Sequence, residues 1–241
     1  MNWLSPIILR EEPIMKKASN KAPALTLLII AFLLLAVYIF LPDIELPNSG
    51  SGQLLHQLSP VEKIDPSDRA AADLILLGAR QEVRNMTRYD ASYQIIDYPQ
   101  GDVDADQGAC TDTVIRAFRN AGIDLQQLIH EDMADNFGLY PDNWGLTAPD
   151  TNIDHRRVPN QMQFFKRFGQ ELTVKTTESN QWQWGDVVYW RFANGDEHCG
   201  IISDKTTVSG YPLVIHNAGV TREEDCLKRW EIIGHYRYPL N

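Results

Sequence analysis

The feature that most limits what this chain can fold into is an uncharged apolar run over residues 24–41, opening at Ala24 and closing at Leu41 before Pro42-Asp43. As a helix rising 1.5 Å per residue it would extend about 27 Å, close to the hydrocarbon thickness of a bilayer. A surface helix of a soluble domain keeps one polar face, whereas this run is apolar all round. A cleaved leader would have a shorter apolar region followed by a small-x-small site, which Phe40-Leu41-Pro42-Asp43 does not offer. The run is therefore expected to be an uncleaved transmembrane anchor. Lys16, Lys17 and Lys21 precede it, and Asp43 and Glu45 follow it. The positive-inside rule then leaves residues 1–23 in the cytoplasm and puts the rest of the chain outside.

Residues 42–66, with Pro47, Asn48, Ser49, Gly50, Ser51 and Gly52, have the composition of a flexible tether, which leaves 67–241 for one ordinary domain. The segment up to residue 41 carries more basic than acidic side chains, so the remainder is more acidic than the whole chain's net charge of −10. Such a domain, without a basic stripe, repels phosphate backbones and excludes nucleic acid as a partner.

Asp65-Pro66-Ser67-Asp68 signals a helix start, and Ala71, Leu74, Leu77 and Ala79 predict a helix over about 67–84. A loop rich in Asp, Gly and Tyr follows over 88–109. Further helices are expected over 111–120 (with Val114, Ile115, Ala117 and Phe118 on one side), 124–136 and 160–168. After residue 170 the pattern changes to short β-rich runs, at 171–175, 186–192, 198–203, 212–217 and 232–238, separated by turn residues. Helices followed by a meander of strands predict an α+β domain with an antiparallel sheet.

Cys110 stands at the head of the second of these helices, in Gln107-Gly108-Ala109-Cys110-Thr111-Asp112. A helix start supplies positive potential and unpaired N–H groups, which favour a thiolate and can hold an oxyanion. Strand alternation sends His198, Gly200 and Ile202 to one face and Cys199, Ile201 and Ser203 to the other. His198 and Cys199 are therefore not expected to serve the same site, and Cys199 is read as a core thiol or a disulfide partner of Cys226. A general base needs its second ring nitrogen held by an acceptor. His216 or Asn217, at the end of the next strand, could supply it. His130, His155, Cys199, His216 and Cys226 form no Cys-x-x-Cys or His-Glu-x-x-His spacing, so neither a metal nor another cofactor is expected.

The order of Cys110 before a helix, Trp184-Gly185-Asp186-Val187-Val188 entering a strand, His198 in a His-x-Gly-Ile strand and His216 ending the next resembles the NlpC/P60 cell-wall cysteine peptidases. The resemblance implies a papain-like fold in which Cys110 is nucleophile, His198 its base and His216 the residue that orients the base. Over roughly residues 68–240 the chain looks more like a group of bacterial envelope proteins united by an uncharacterised domain, the YijF-like group. The phrases that carry this are Tyr98-Pro99-x-Gly101-Asp102, Cys110-Thr111-Asp112, Asn152 through Asn160, and Gly234-His235-Tyr236-Arg237-Tyr238. Tyr98, Asp112, Arg156, Arg157 and Asn217 are expected to contact substrate, the arginines because a guanidinium fork matches a carboxylate. The implied activity is cleavage of a cell-wall peptide amide outside the cytoplasmic membrane of a bacterium. The rivals are acyl transfer by the same Cys–His pair and a non-catalytic domain that grips peptidoglycan or an envelope protein.

Overall fold

The computed structural model describes residues 59–240, so the apolar run 24–41 and most of the tether lie outside the described residues. Among the described residues no helix is long and apolar enough to cross a membrane.

Helix α1 (Ala71–Asn85) starts where Asp73 accepts a hydrogen bond from the Ala70 N–H at 2.8 Å, and stops at Met86, whose φ is 52°. Its inner face is Ile75, Leu76 and Ala79, all fully buried. Helix α2 (Cys110–Asn120) starts in the same way, with the Asp112 carboxylate accepting from the Ala109 N–H at 2.6 Å. It packs across α1 at Gly78, where a Cβ would lie 2.9 Å from the Ala117 backbone, so only glycine lets the helices approach this closely. Helix α3 (Leu125–Asn136) is capped by Asp124 through the Gln126 N–H, and α4 (Val158–Phe168) carries Pro159 in its first turn, where a missing N–H costs nothing.

Residues Arg88–Tyr89 (β1) and Gln107–Gly108 (β2) pair in parallel inside the long loop before Cys110. The main sheet contains Gln170–Glu171 (β3), Val187–Arg191 (β4), Glu197–Thr206 (β5), Pro212–Asn217 (β6), Thr221–Glu224 (β7) and Glu231–Arg237 (β8). It is antiparallel throughout, in the order β3-β8-β4-β5-β6-β7. Period-two alternation divides its side chains cleanly. Tyr189, Cys199, Ile201 and Ile215 join Ile75, Phe118 and Phe165 in the core under the helices. Val188, Trp190, Ile202 and Val214 join Trp182, Cys226 and Leu227 in a second cluster on the opposite face. The domain is thus α+β, helices on one face of an antiparallel sheet.

Three elements differ from the sequence expectation. Residues 59–66 belong to the domain rather than the tether: Val61 is fully buried and its N–H donates to Asp204 at 2.8 Å. Pro66–Asp68 form a separate 3-10 turn, so α1 begins only at Ala71. The run 171–175 contributes just β3, while β7, which carries no apolar alternation, completes the other edge of the sheet. Cys199 and Cys226 lie in clusters on opposite faces, and all three cysteines are free thiols, so the disulfide considered between them is not made.

Candidate active site

Cys110 is the first residue of α2, His198 the second of β5 and His216 the fifth of β6, and each is nearly fully buried. The opening N–H groups of a helix have no acceptor within it, so those of Cys110 and Thr111 are available beside the thiol. The side chains of Cys199 and His198 lie close enough to the Cys110 thiol to act on its ionisation. The contact with Cys199, followed by the hydrogen bond and charge of His198, holds it well below its ordinary range against the opposing effect of burial. Burial and the neighbouring Cys110 push the Cys199 thiol well up, so it stays protonated and donates.

This corrects the expectation that His198 and Cys199 could not both serve one site. Alternation holds, since Cys199 enters the helix-side core while the His198 ring lies against Trp190. Cys110, however, sits at the end of β5 where the strand begins, and a group at a strand end can be reached from both faces.

From His198 a file of hydrogen bonds runs outward. Its Nε2 lies 2.8 Å from His216 Nδ1, and His216 Nε2 lies 3.0 Å from Glu224 Oε1. The same Glu224 oxygen accepts from Arg229 at 2.6 Å. The close approach of the two rings depends on Gly200, where a Cβ would lie 2.8 Å from the Ile215 carbonyl and 3.1 Å from His216 Cβ. Trp190, Phe192 and Trp230 wall the His198 ring with centroids 5.8, 5.2 and 5.8 Å away. Burial lowers the affinity of His216 for a second proton. Glu224 is held below the usual carboxylate range, because hydrogen bonds from Arg229 and His216 outweigh its partial burial.

Two clefts meet here. One, of about 410 Å³, is lined by Cys110, Thr111, Trp144 and Arg156. The other, of about 570 Å³, is lined by His198, Phe192 and Gly219. Both share Tyr89, Asp196 and Glu197, so an extended molecule lying across the Cys110–His198 pair would occupy both. Burial and the nearby thiols and carboxylates push the Tyr89 phenol up to about 12, which keeps it a hydrogen-bond donor at neutral pH. Sequence reasoning missed Tyr89, Cys199 and Glu224; Tyr89 lies in an aperiodic loop that gave no signal.

The residues expected to touch substrate fall in different places. Asp112 and Arg156 form a buried bidentate pair, with both bonds at 2.9 Å. Arg156 reaches the first cleft, but its fork is already committed to holding the start of α2. Arg157 lies over the Trp144 ring at 4.0 Å, at the edge of that cleft. Asn217 is fully buried and donates to the Gly108 carbonyl at 2.9 Å, tying β6 to β2 just before Cys110. Tyr98 packs edge-on against His130, centroids 5.1 Å apart, and lines neither cleft. The donor atoms of His216, Glu224 and Cys226 lie within 4.8 Å of one another, but the Arg229 guanidinium already occupies Glu224 and disfavours a second cation there.

Fold and site together define a class: an α+β domain that sets a cysteine at a helix start against a file of two histidines and a glutamate. Within it, the chain belongs to the family described as a domain of unknown function, DUF1287, whose model matches residues 76–238. It is 49% identical over 162 residues to the uncharacterized protein YijF of Escherichia coli (strain K12), an alignment covering 67% of this chain and 78% of that protein. No solved structure matches the chain.

Proposed function

We propose that this chain is a membrane-anchored, extracytoplasmic cysteine hydrolase of the papain-like, NlpC/P60 type, cleaving an amide bond in cell-wall peptides. The observation that carries the reading is a cysteine at a helix start, Cys110, set at the junction of two clefts with His198, whose Nε2 is backed by His216 at 2.8 Å. The apolar run 24–41 would hold the domain at the outer face of the cytoplasmic membrane.

His198 takes the Cys110 proton and the thiolate attacks the amide carbonyl carbon, moving the carbonyl electron pair onto oxygen. The free N–H groups at the start of α2 stabilise that oxyanion, with the Tyr89 phenol as a further donor. As the tetrahedral intermediate collapses, His198 returns its proton to the leaving nitrogen, the C–N bond breaks and a thioester remains on Cys110. Water, deprotonated by His198, then attacks the thioester, releasing a carboxylic acid and restoring the thiol.

The test is incubation of purified sacculi with the full-length chain, wild type beside Cys110→Ala, with products read by mass spectrometry. New muropeptides from wild type alone are expected. The same products from Cys110→Ala would sink the reading.

A further inference from the structure

We infer that Glu224 is a positioning residue that fixes which nitrogen carries the proton on both histidines, and so keeps His198 able to accept the proton of Cys110. The inference rests on the hydrolase reading above and concerns a residue on β7, an edge strand that reaches neither Cys110 nor the clefts.

An ionised carboxylate can only accept hydrogen bonds. With Glu224 Oε1 3.0 Å away, His216 Nε2 must carry hydrogen, which leaves Nδ1 of the neutral ring as a bare lone pair. That lone pair faces His198 Nε2 at 2.8 Å, so His198 Nε2 must be the donor in the pair. The proton-free nitrogen of neutral His198 is then Nδ1, the one left to meet Cys110. When His198 takes the thiol proton, each N–H of the resulting imidazolium already has an acceptor: the thiolate on one side and His216 Nδ1 on the other. One carboxylate therefore sets the direction of every hydrogen bond in the file, in both protonation states.

Without Glu224, nothing compels this arrangement. His216 can carry its proton on Nδ1 and donate to His198 Nε2. His198 must then bear hydrogen on Nδ1, facing Cys110, where it can donate to a thiolate but cannot remove a proton.

The surroundings of Glu224 favour the fixing role. β6 and β7 pair Val214 with Glu224 and His216 with Arg222, so Glu224 reaches His216 diagonally across the strand pair. Arg229 anchors the carboxylate at 2.6 Å, and its guanidinium lies 5.2 Å from the Trp230 ring, which itself packs on both histidines. Cys226, buried beside His216 and Glu224, has its thiol pushed up to about 12 by burial and stays neutral. The adjacent Glu223 is engaged elsewhere, accepting from Arg80, Ser203 and Lys205. Glu224 is thus the carboxylate that His216 Nε2 meets.

The test uses the full-length chain and needs no substrate. The rate at which iodoacetamide alkylates Cys110, read by peptide mapping, is followed against pH for wild type, Glu224→Gln, Glu224→Ala and His198→Ala. The ¹⁵N-imidazole spectrum reports which ring nitrogen carries each proton. Glu224→Ala is expected to raise the Cys110 midpoint by about one pH unit, slowing alkylation about tenfold near neutrality, and to move the His216 proton off Nε2. Glu224→Gln, which keeps the shape and an acceptor oxygen without the charge, should retain the proton pattern and fall between wild type and Ala. A wild-type midpoint and proton pattern in Glu224→Ala, while His198→Ala shifts the midpoint, would overturn the role of Glu224 alone. An ordinary thiol profile in wild type, unchanged by His198→Ala, would overturn the hydrolase reading as well.

Discussion

At position 199 a second thiol acts on Cys110 from the side of the strand opposite His198. Its hydrogen bond is the largest influence lowering the Cys110 thiol, ahead of His198. Removing it in Cys199→Ala should move the ionisation midpoint of Cys110 up toward the ordinary thiol value of about 8.5, whereas Cys199→Ser, which keeps a donor, should shift it less. Iodoacetamide alkylation against pH, with Cys110 resolved by peptide mapping, measures both. An unshifted midpoint in the Ala variant would leave His198 as the sole support. The contrast explains what was legible at this scale. The grouping of Cys110, His198 and His216 was legible because each sits at or next to an element boundary and they follow one another in a recognisable order. Cys199 and Glu224 were not, because their roles depend on contacts made at a strand end and diagonally between strands, which alternation along one strand does not report. Asp112 and Arg156 were readable as charges, but not as each other's partners, since 44 positions separate them.

The elements themselves were legible where burial imposes a period. Val114, Ile115, Ala117 and Phe118 were expected on one side of a helix and are all buried in α2. In β4 and β5 the alternation falls into two separate clusters, as period two requires. β7 was missed because Thr221-Arg222-Glu223-Glu224 is polar on both faces: one face meets the buried Arg80 and the other meets His216. The β5–β6 pair that aligns the histidines makes its own prediction. Gly200→Ala would place a Cβ 2.8 Å from the Ile215 carbonyl, a backbone atom that cannot swing aside. The strands must separate, costing about 1–3 kcal/mol of stability and lengthening the His198–His216 bond. A lower urea midpoint together with slower Cys110 alkylation is expected. A variant that lost stability but kept the wild-type alkylation profile would show that histidine spacing does not depend on this close approach.

For the molecule as a whole, the buried histidines decide how the fold responds to acid. His155 is buried, and desolvation together with Arg156 and Arg119 lowers it to about 3. In the unfolded chain it would titrate near about 6.5. The unfolded state therefore binds more protons than the folded one between these values. The neutral ring's contribution is complete above about pH 6.5 and is lost as pH falls toward 3, at about 1.4 kcal/mol per unit once the two states are well separated. His216, also lowered by burial, acts in the same direction. Glu223 and Glu224, held below the usual 4.5, add to the loss only at lower pH, as their own range is crossed. Burial raises Asp112 and Asp154, so these two act in the opposite sense, and the net slope of the wild type mixes both signs. The difference between wild type and His155→Gln or His155→Leu isolates the histidine, because the other groups are common to all three. Urea midpoints measured at pH 7.5, 6 and 5 should converge as pH falls: the variants, less stable at neutral pH from lost packing, lose less on acidification. Parallel curves would mean that His155 takes up a proton as readily in the folded state as in the unfolded one, and that the arginine-flanked core around it is wetter than its burial implies.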